Sequence, residues 1–136
     1  MKVTIERKNN AVYLEAQNED GIIVKMDGSP EIGGENSGAR PMQLILMGLG
    51  GCTSMDVLSI LKKMRENVKS YNVIVEAERA KEEPKVFTKI NIHYILEGIA
   101  KRENAEKAIQ LSMNKYCSVS KMLEKTAEIT YSLELI

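Results

Sequence analysis

The sequence predicts an α+β fold in which antiparallel sheets pack on one long buried helix. Three observations lead there. Strand-like and helical segments follow one another as strands, helix, strands, helices, strand, an order typical of α+β chains rather than alternating α/β ones. The run Leu44-Ile-Leu-Met-Gly-Leu-Gly-Gly-Cys-Thr-Ser-Met55 is apolar nearly all round, which marks a helix enclosed on most sides. The 136 residues, 43% apolar and 28% charged, suit a single domain, 1–136, with one core.

The elements follow in order. Residues 3–8, 11–17 and 22–27 read as strands of a meander, separated by Asn9-Asn10 and Glu19-Asp20-Gly21, which are turn compositions. Residues 28–38 are glycine-rich and polar, hence a surface loop. Pro41 opens a helix expected to run to residue 67, because proline suits the first helical position. Gly48, Gly50 and Gly51 lie inside it, each costing about 1 kcal/mol against alanine. Close helix approach, or access to a site, is needed to offset them. Residues 71–79 and 86–97 form a hairpin with a charged tip at 80–84. Residues 101–116 make an amphipathic helix with Ala105, Ala108, Ile109, Ser112 and Met113 on one stripe. A short helix at 118–125 and a strand at 128–135 complete the chain. One sheet layer cannot cover the 42–55 helix on every side, so an intertwined homodimer with the two long helices back to back is expected.

Nineteen basic residues balance nineteen acidic ones, leaving no electrostatic footprint for nucleic acid. No run reaches about 18 consecutive apolar residues, the length of a membrane span, and the amino terminus does not resemble a signal peptide. No membrane partner and a cytoplasmic location are the expectations. A reducing compartment disfavours a permanent disulfide. Eight methionines stand in for scarce aromatics, and they adapt well to irregular packing.

Chemistry concentrates on two cysteines. Cys52 lies inside the apolar run and Cys117 in Lys115-Tyr-Cys-Ser-Val-Ser-Lys121, too far apart for a short Cys-x-x-Cys metal or redox motif. Cys52 is either a nucleophile or a small buried hydrophobe. As a nucleophile it needs a cation to favour its thiolate. Arg40 lies about 18 Å away along a helix axis, and Arg7 on the first strand is the other candidate. Cys117 stands before a short helix, whose amino terminus lowers a thiol pKa; a packing role is equally open. As a resolving thiol it attacks a sulfenic acid on Cys52 and closes a disulfide. Asp56, one turn after Cys52, either orients an arginine or makes a structural hydrogen bond, and the latter is the expectation. A carboxylate so placed raises a neighbouring thiol's pKa. His93, the single histidine, falls by strand alternation on the solvated face with Asn91, Ile95 and Glu97, away from any Cys-His pair. The chain is short of ligands for a structural zinc site, and no phosphate-binding glycine fingerprint occurs.

Arg40-Pro-Met-Gln-Leu-Ile-Leu-Met-Gly-Leu-Gly-Gly-Cys-Thr-Ser-Met-Asp56 resembles the central-helix signature of the OsmC/Ohr family. Tyr116-Cys-Ser-Val-Ser-Lys121 resembles its second-cysteine motif, and the order of elements matches from end to end. The resemblance implies an OsmC-like fold and an intertwined homodimer with active sites at the subunit interface. It also implies a thiol-dependent peroxidase that reduces hydroperoxides, organic ones by preference. By position, Cys52 is then the peroxidatic thiol and Cys117 the resolving thiol. The match does not fix the family's arginine; Arg40 is taken as the activating cation because it leads the signature helix, with Arg7 the alternative, and Met42, Gln43 and Met55 are taken as substrate-binding residues. A dithiol reductant, a lipoylated protein in some members, resets the disulfide. No metal or organic cofactor is implied.

One departure stands out. The family's enzymes carry Asn-Pro-Glu at the helix start, where that glutamate holds the catalytic arginine. Here the stretch is Arg40-Pro41-Met42-Gln43, without a carboxylate. The alternative class is therefore a non-enzymatic dimer, either a binder of small apolar ligands or a thiol redox sensor. The missing carboxylate weighs toward it.

Overall fold

The computed structural model describes residues Met1–Ile136, which divide into two compact units, Met1–Ile45 and Leu46–Ile136. In the first unit, β1 (Val3–Arg7), β2 (Leu14–Asn18) and β3 (Ile23–Met26) form an antiparallel sheet in sequence order. β2 begins three residues later than the expected 11–17. The Asn9 carboxamide oxygen accepts from the Ala11 and Tyr13 backbone N–H groups, and this local turn competes with the ladder. After a short 3₁₀ turn, Pro30–Ile32, the chain returns beside β3 through a bridge between Met26 and Ala39.

Helix α1, Pro41–Lys63, starts in the first unit and continues into the second. Its first residue is the expected proline, and its first turn is closed by Gln43, whose Oε1 accepts from the Arg40 backbone N–H at 2.9 Å. That is the reciprocal arm of a capping box. α1 stops four residues short of the expected 67. Arg65 adopts φ 61°, with Arg65 N–H donating to Lys62 O and Glu66 N–H to Leu61 O. This left-handed ending is usually made by glycine, so no glycine announced it.

In the second unit, β4 (Ser70–Arg79), β5 (Phe87–Glu97) and β6 (Glu128–Leu135) form one sheet with β5 in the middle. β4 and β5 pair antiparallel, as expected of the hairpin. β6 pairs parallel to β5, which corrects the expectation of wholly antiparallel sheets. A parallel return needs a crossover of a dozen or more residues. Helix α2 (Arg102–Leu111), a π-helical turn (Ser112–Tyr116) and helix α3 (Ser118–Leu123) supply it. The helix expected over 101–116 is thus broken at Ser112, where the bonding widens and Cys117 N–H donates to Ser112 O at 2.8 Å. The α2 amino terminus is held by Glu66, whose carboxylate accepts from Ala100 N–H, Lys101 N–H and the Asn104 amide. Those bonds keep the Glu66 carboxyl below the usual carboxylate range.

The core of this unit follows the two periodicities. β5 buries Ile90, Ile92, Tyr94 and Leu96, every second residue. α1 buries Leu49, Thr53, Val57 and Leu61, spaced by four along one stripe. α2 adds Ala105, Ala108 and Ile109, with Ser112 continuing the stripe. Of the three helix glycines, Gly50 alone is closely approached: a Cβ there meets Val75 Cγ2 at 3.2 Å, whereas Gly48 and Gly51 have nothing within 4 Å.

The rest of α1 is left open by its own chain, as expected of a helix that one sheet layer cannot cover. Met47 is 58% and Met55 76% exposed, and Leu58 is exposed too. By length and mean hydropathy, 1.8 over an 18-residue window, α1 is also long and apolar enough to cross a membrane. Counting consecutive apolar residues missed this, because Thr53 and Ser54 interrupt the run without lowering its average much. The buried stripe toward its own chain is the behaviour of a core helix.

Candidate functional site

The second unit assembles the site from three elements. α1 contributes Cys52 and, one turn on, Asp56; the end of the π-helical turn delivers Cys117 at the cap of α3. The two sulfurs and a carboxylate oxygen of Asp56 all lie within 4.8 Å of one another. Both cysteines are free thiols, Cys52 half-buried and Cys117 buried. The fold thus joins two thiols that lie 65 residues apart in sequence.

Cys117 shows how the π turn matters. A continuous α-helix carries position 117 onward along its own axis; the wider turn ends instead in extended backbone at Cys117, φ −74° and ψ 100°. There its sulfur accepts from Ser120 N–H at 3.4 Å. The expected helix-terminus lowering of the thiol pKa does not prevail. Burial pushes the Cys117 thiol up, the Ser120 hydrogen bonds oppose this in part, and the neighbouring Cys52 raises it further. α3, at six residues, offers too few aligned peptides to outweigh desolvation.

Asp56 makes the structural hydrogen bond expected of it, and its partner is Ser112, whose Oγ donates to Oδ2 at 3.0 Å. Behind Ser112 stands a buried chain. Thr53 Oγ1 lies 2.8 Å from Ser112 Oγ and 2.7 Å from Tyr94 Oη. Each hydroxyl owns one proton. With Ser112 donating to Asp56, Thr53 donates to Ser112 and Tyr94 to Thr53. Burial raises the Tyr94 pKa well above the usual phenol value, Thr53 offsetting only part. Sequence reasoning missed this relay. Its signals were a threonine in an apolar run, a serine on an apolar stripe and a tyrosine on a buried strand face, three hydroxyls that burial obliges to find partners.

Arg40, Met42, Gln43 and Arg7 belong to the first unit. There the Arg40 guanidinium donates to Asp27 O at 3.4 Å and to Asn36 Oδ1, and Gln43 is engaged with the Arg40 backbone rather than with the guanidinium. Met55 is on α1, exposed, one turn from Cys52. His93 is half-exposed on β5, bonded to Ser132 Oγ at 2.7 Å and Glu134 at 3.2 Å, clear of both thiols as expected.

Asp27 organises the loop around Arg40. Its buried carboxylate accepts backbone N–H bonds from Gly28, Glu35 and Ser37. The Ser37 bond first, then Glu35, Gly28 and the Arg40 charge, hold its carboxyl below the usual range against the opposing effect of burial. A carboxyl so depressed lends stability that is present above its unfolded pKa, about 3.9, and is lost as pH falls through the lower folded value. Asp27→Asn is therefore expected to speed amide exchange at Gly28, Glu35 and Ser37 at neutral pH, and to flatten the acid dependence seen in the parent. Unchanged exchange refutes this role.

The family model described as OsmC-like protein matches residues 34–132, the greater part of the chain and both cysteine motifs. The chain belongs to the OsmC-like family. Its OsmC-like fold is shared by a protein of Aquifex aeolicus VF5, 28% identical with TM-score 0.81 over 99% of this chain and 96% of that one. A Legionella pneumophila protein described as an organic hydroperoxide resistance protein OsmC has the same fold, TM-score 0.73 at 16% identity, covering 98% and 95% of the two chains. The chain is also similar to protein YhfA of Escherichia coli K12, 42% identical over 120 residues, 85% of this chain and 84% of that protein. OsmC-like membership together with the adjacent thiols supports a redox role.

Proposed function

We propose that the protein is a thiol-dependent peroxidase that reduces hydroperoxides, organic ones by preference. The observation that carries this reading is the pairing of a reachable thiol, Cys52, with a buried one, Cys117, whose sulfurs lie within 4.8 Å. The Cys52 thiolate attacks the terminal peroxide oxygen; the O–O bond breaks, and the alkoxide takes a proton and leaves as an alcohol. The resulting sulfenic acid condenses with Cys117, forming the S–S bond and releasing water. A dithiol then exchanges with the disulfide, returning both thiols and leaving as its own disulfide. A lipoylated protein fits that role. Arg40 is the proposed thiolate-stabilising cation, and exposed Met55 offers an apolar wall to the alkyl group. The name of the Legionella relative agrees with this chemistry.

A cytoplasmic homodimer completes the proposal. Gly48, Gly51, Met55 and Leu58 lie on the open side of α1, and a second copy packed there covers them. The expected result is sedimentation at twice 15.2 kDa without detergent; a monomer, or protein soluble only in detergent, removes this part of the proposal.

One observation favours a second reading. No carboxylate at the helix start holds the Arg40 guanidinium, and Gln43 is spent on the helix cap. A thiol sensor needs one oxidation, not turnover. The deciding experiment supplies excess cumene hydroperoxide, or hydrogen peroxide, with reduced lipoamide and follows both intact mass and peroxide consumed. Loss of two hydrogens with many equivalents consumed supports the peroxidase. Oxidation that stops after one equivalent identifies a sensor, and unchanged mass defeats both.

A further inference from the structure

Asp56 presents a carboxylate that no basic side chain neutralises, for the chain's ion pairs all form elsewhere. Beside it stand two sulfurs. Three donor atoms mutually within 4.8 Å share a centre at most about 2.8 Å from each, against about 2.3 Å for zinc–sulfur and about 2.0–2.2 Å for zinc–carboxylate bonds. Small side-chain rotations close the difference. We propose that reduced Cys52 and Cys117, with Asp56, bind one thiophilic divalent cation of the zinc class.

The surroundings have what such a site requires. A ligating carboxylate is normally oriented by an outer hydrogen bond, and the Ser112 hydroxyl provides one, itself fixed by Thr53 and Tyr94. A cavity of about 120 Å³ opens on Asp56, lined also by Ser59, Ile60, Lys63 and Tyr116. Neither cysteine lines it, so it opens the site on the Asp56 side only. Lys63 lines that cavity without reaching ion-pair distance of Asp56. The donor types set the metal class: two thiolates select zinc-like ions over magnesium or calcium. Three protein ligands leave a fourth tetrahedral position for water, the open form rather than the closed four-ligand form. The shortage of ligands noted from sequence concerned the closed form.

This inference uses the same thiols as the peroxidase reading but does not rest on turnover. A bound ion occupies both sulfurs, and a disulfide removes both ligands, so loading and oxidation exclude one another.

Titration of reduced, chelator-stripped protein with Co²⁺ tests it. One equivalent is expected to raise a sulfur-to-cobalt charge-transfer band together with four-coordinate visible bands, all lost on adding Zn²⁺. Diamide-oxidised wild type, confirmed by loss of two hydrogens, is expected to show no band; this comparison needs no variant. Cys52→Ser and Cys117→Ser are expected to lose most of the band, and Asp56→Asn to bind Co²⁺ roughly tenfold or more weakly. Absence of the band at one equivalent overturns the proposal. So does its persistence in the disulfide form, and unchanged affinity in Asp56→Asn overturns the carboxylate's part. Peroxide consumption, measured separately with chelator present, reports on the peroxidase reading alone.

Discussion

Cys117→Ser protein is expected to consume one equivalent of hydroperoxide and then stop. Cys52 remains half-exposed and able to attack, but the sulfenic acid it forms has no second thiol within 4.8 Å to condense with. Dimedone then traps the sulfenic acid in nearly every molecule, whereas the parent gives little adduct because the disulfide forms first. Turnover with a dithiol falls from many cycles to about one. Cys52→Ser consumes none. The parent's resolving step should also depend on pH in a definite direction. Burial raises the Cys117 pKa above the usual thiol range, so its thiolate is scarce at neutrality and grows about tenfold per pH unit until that pKa is reached. Rapid-quench measurement of disulfide formation between pH 6.5 and 8.5, with chelator present, reads the slope. A rate flat across about two units, or full turnover by Cys117→Ser, refutes the assignment of Cys117 as the resolving thiol.

Thr53→Val carries the largest expected cost to stability. Valine keeps the shape but deletes a hydroxyl that joins Tyr94 to Ser112 in the core. The Tyr94 hydroxyl is left with only the Met113 sulfur, 3.9 Å away. Ser112 keeps Asp56 but loses its donor. A buried polar group deprived of its partner costs about 1–3 kcal/mol; Tyr94 bears this in full and Ser112, which keeps Asp56, only in part, so a loss of about 2–4 kcal/mol is expected in urea unfolding at fixed protein concentration. Adding Tyr94→Phe removes the orphaned hydroxyl, so the double variant should lose less than the sum of the two single losses. Additive losses show that the Thr53 and Tyr94 hydroxyls are not coupled. The same change loosens Asp56, through Ser112, beside both sulfurs.

Much of this architecture was legible one residue at a time. β5 and β6 alternate apolar and polar residues, and β6 falls on the expected 128–135. Pro41 marks the start of α1, and the Ala105-Ala108-Ile109-Ser112 stripe is the buried face of the second helical segment. Local chemistry sets these features, so local sequence reports them. The end of α1 was misplaced because Arg65 does work usually left to glycine. The break at Ser112 was invisible because Ser112–Tyr116 keeps a helical composition while its hydrogen bonding widens. The parallel pairing of β6 escaped because strand direction depends on where the crossover returns the chain.

The sequence by itself determined the α+β class, the buried faces, and the two cysteine motifs that mark the OsmC-like family. Those depend on side-chain type at a fixed period along the chain. Tertiary structure alone decided that Cys52, Asp56 and Cys117 meet, that Ser112, Thr53 and Tyr94 brace the carboxylate, and that the Cys117 pKa rises rather than falls. Proximity across 65 residues and the balance of burial against hydrogen bonding belong to the folded environment. No single stretch of sequence contains them.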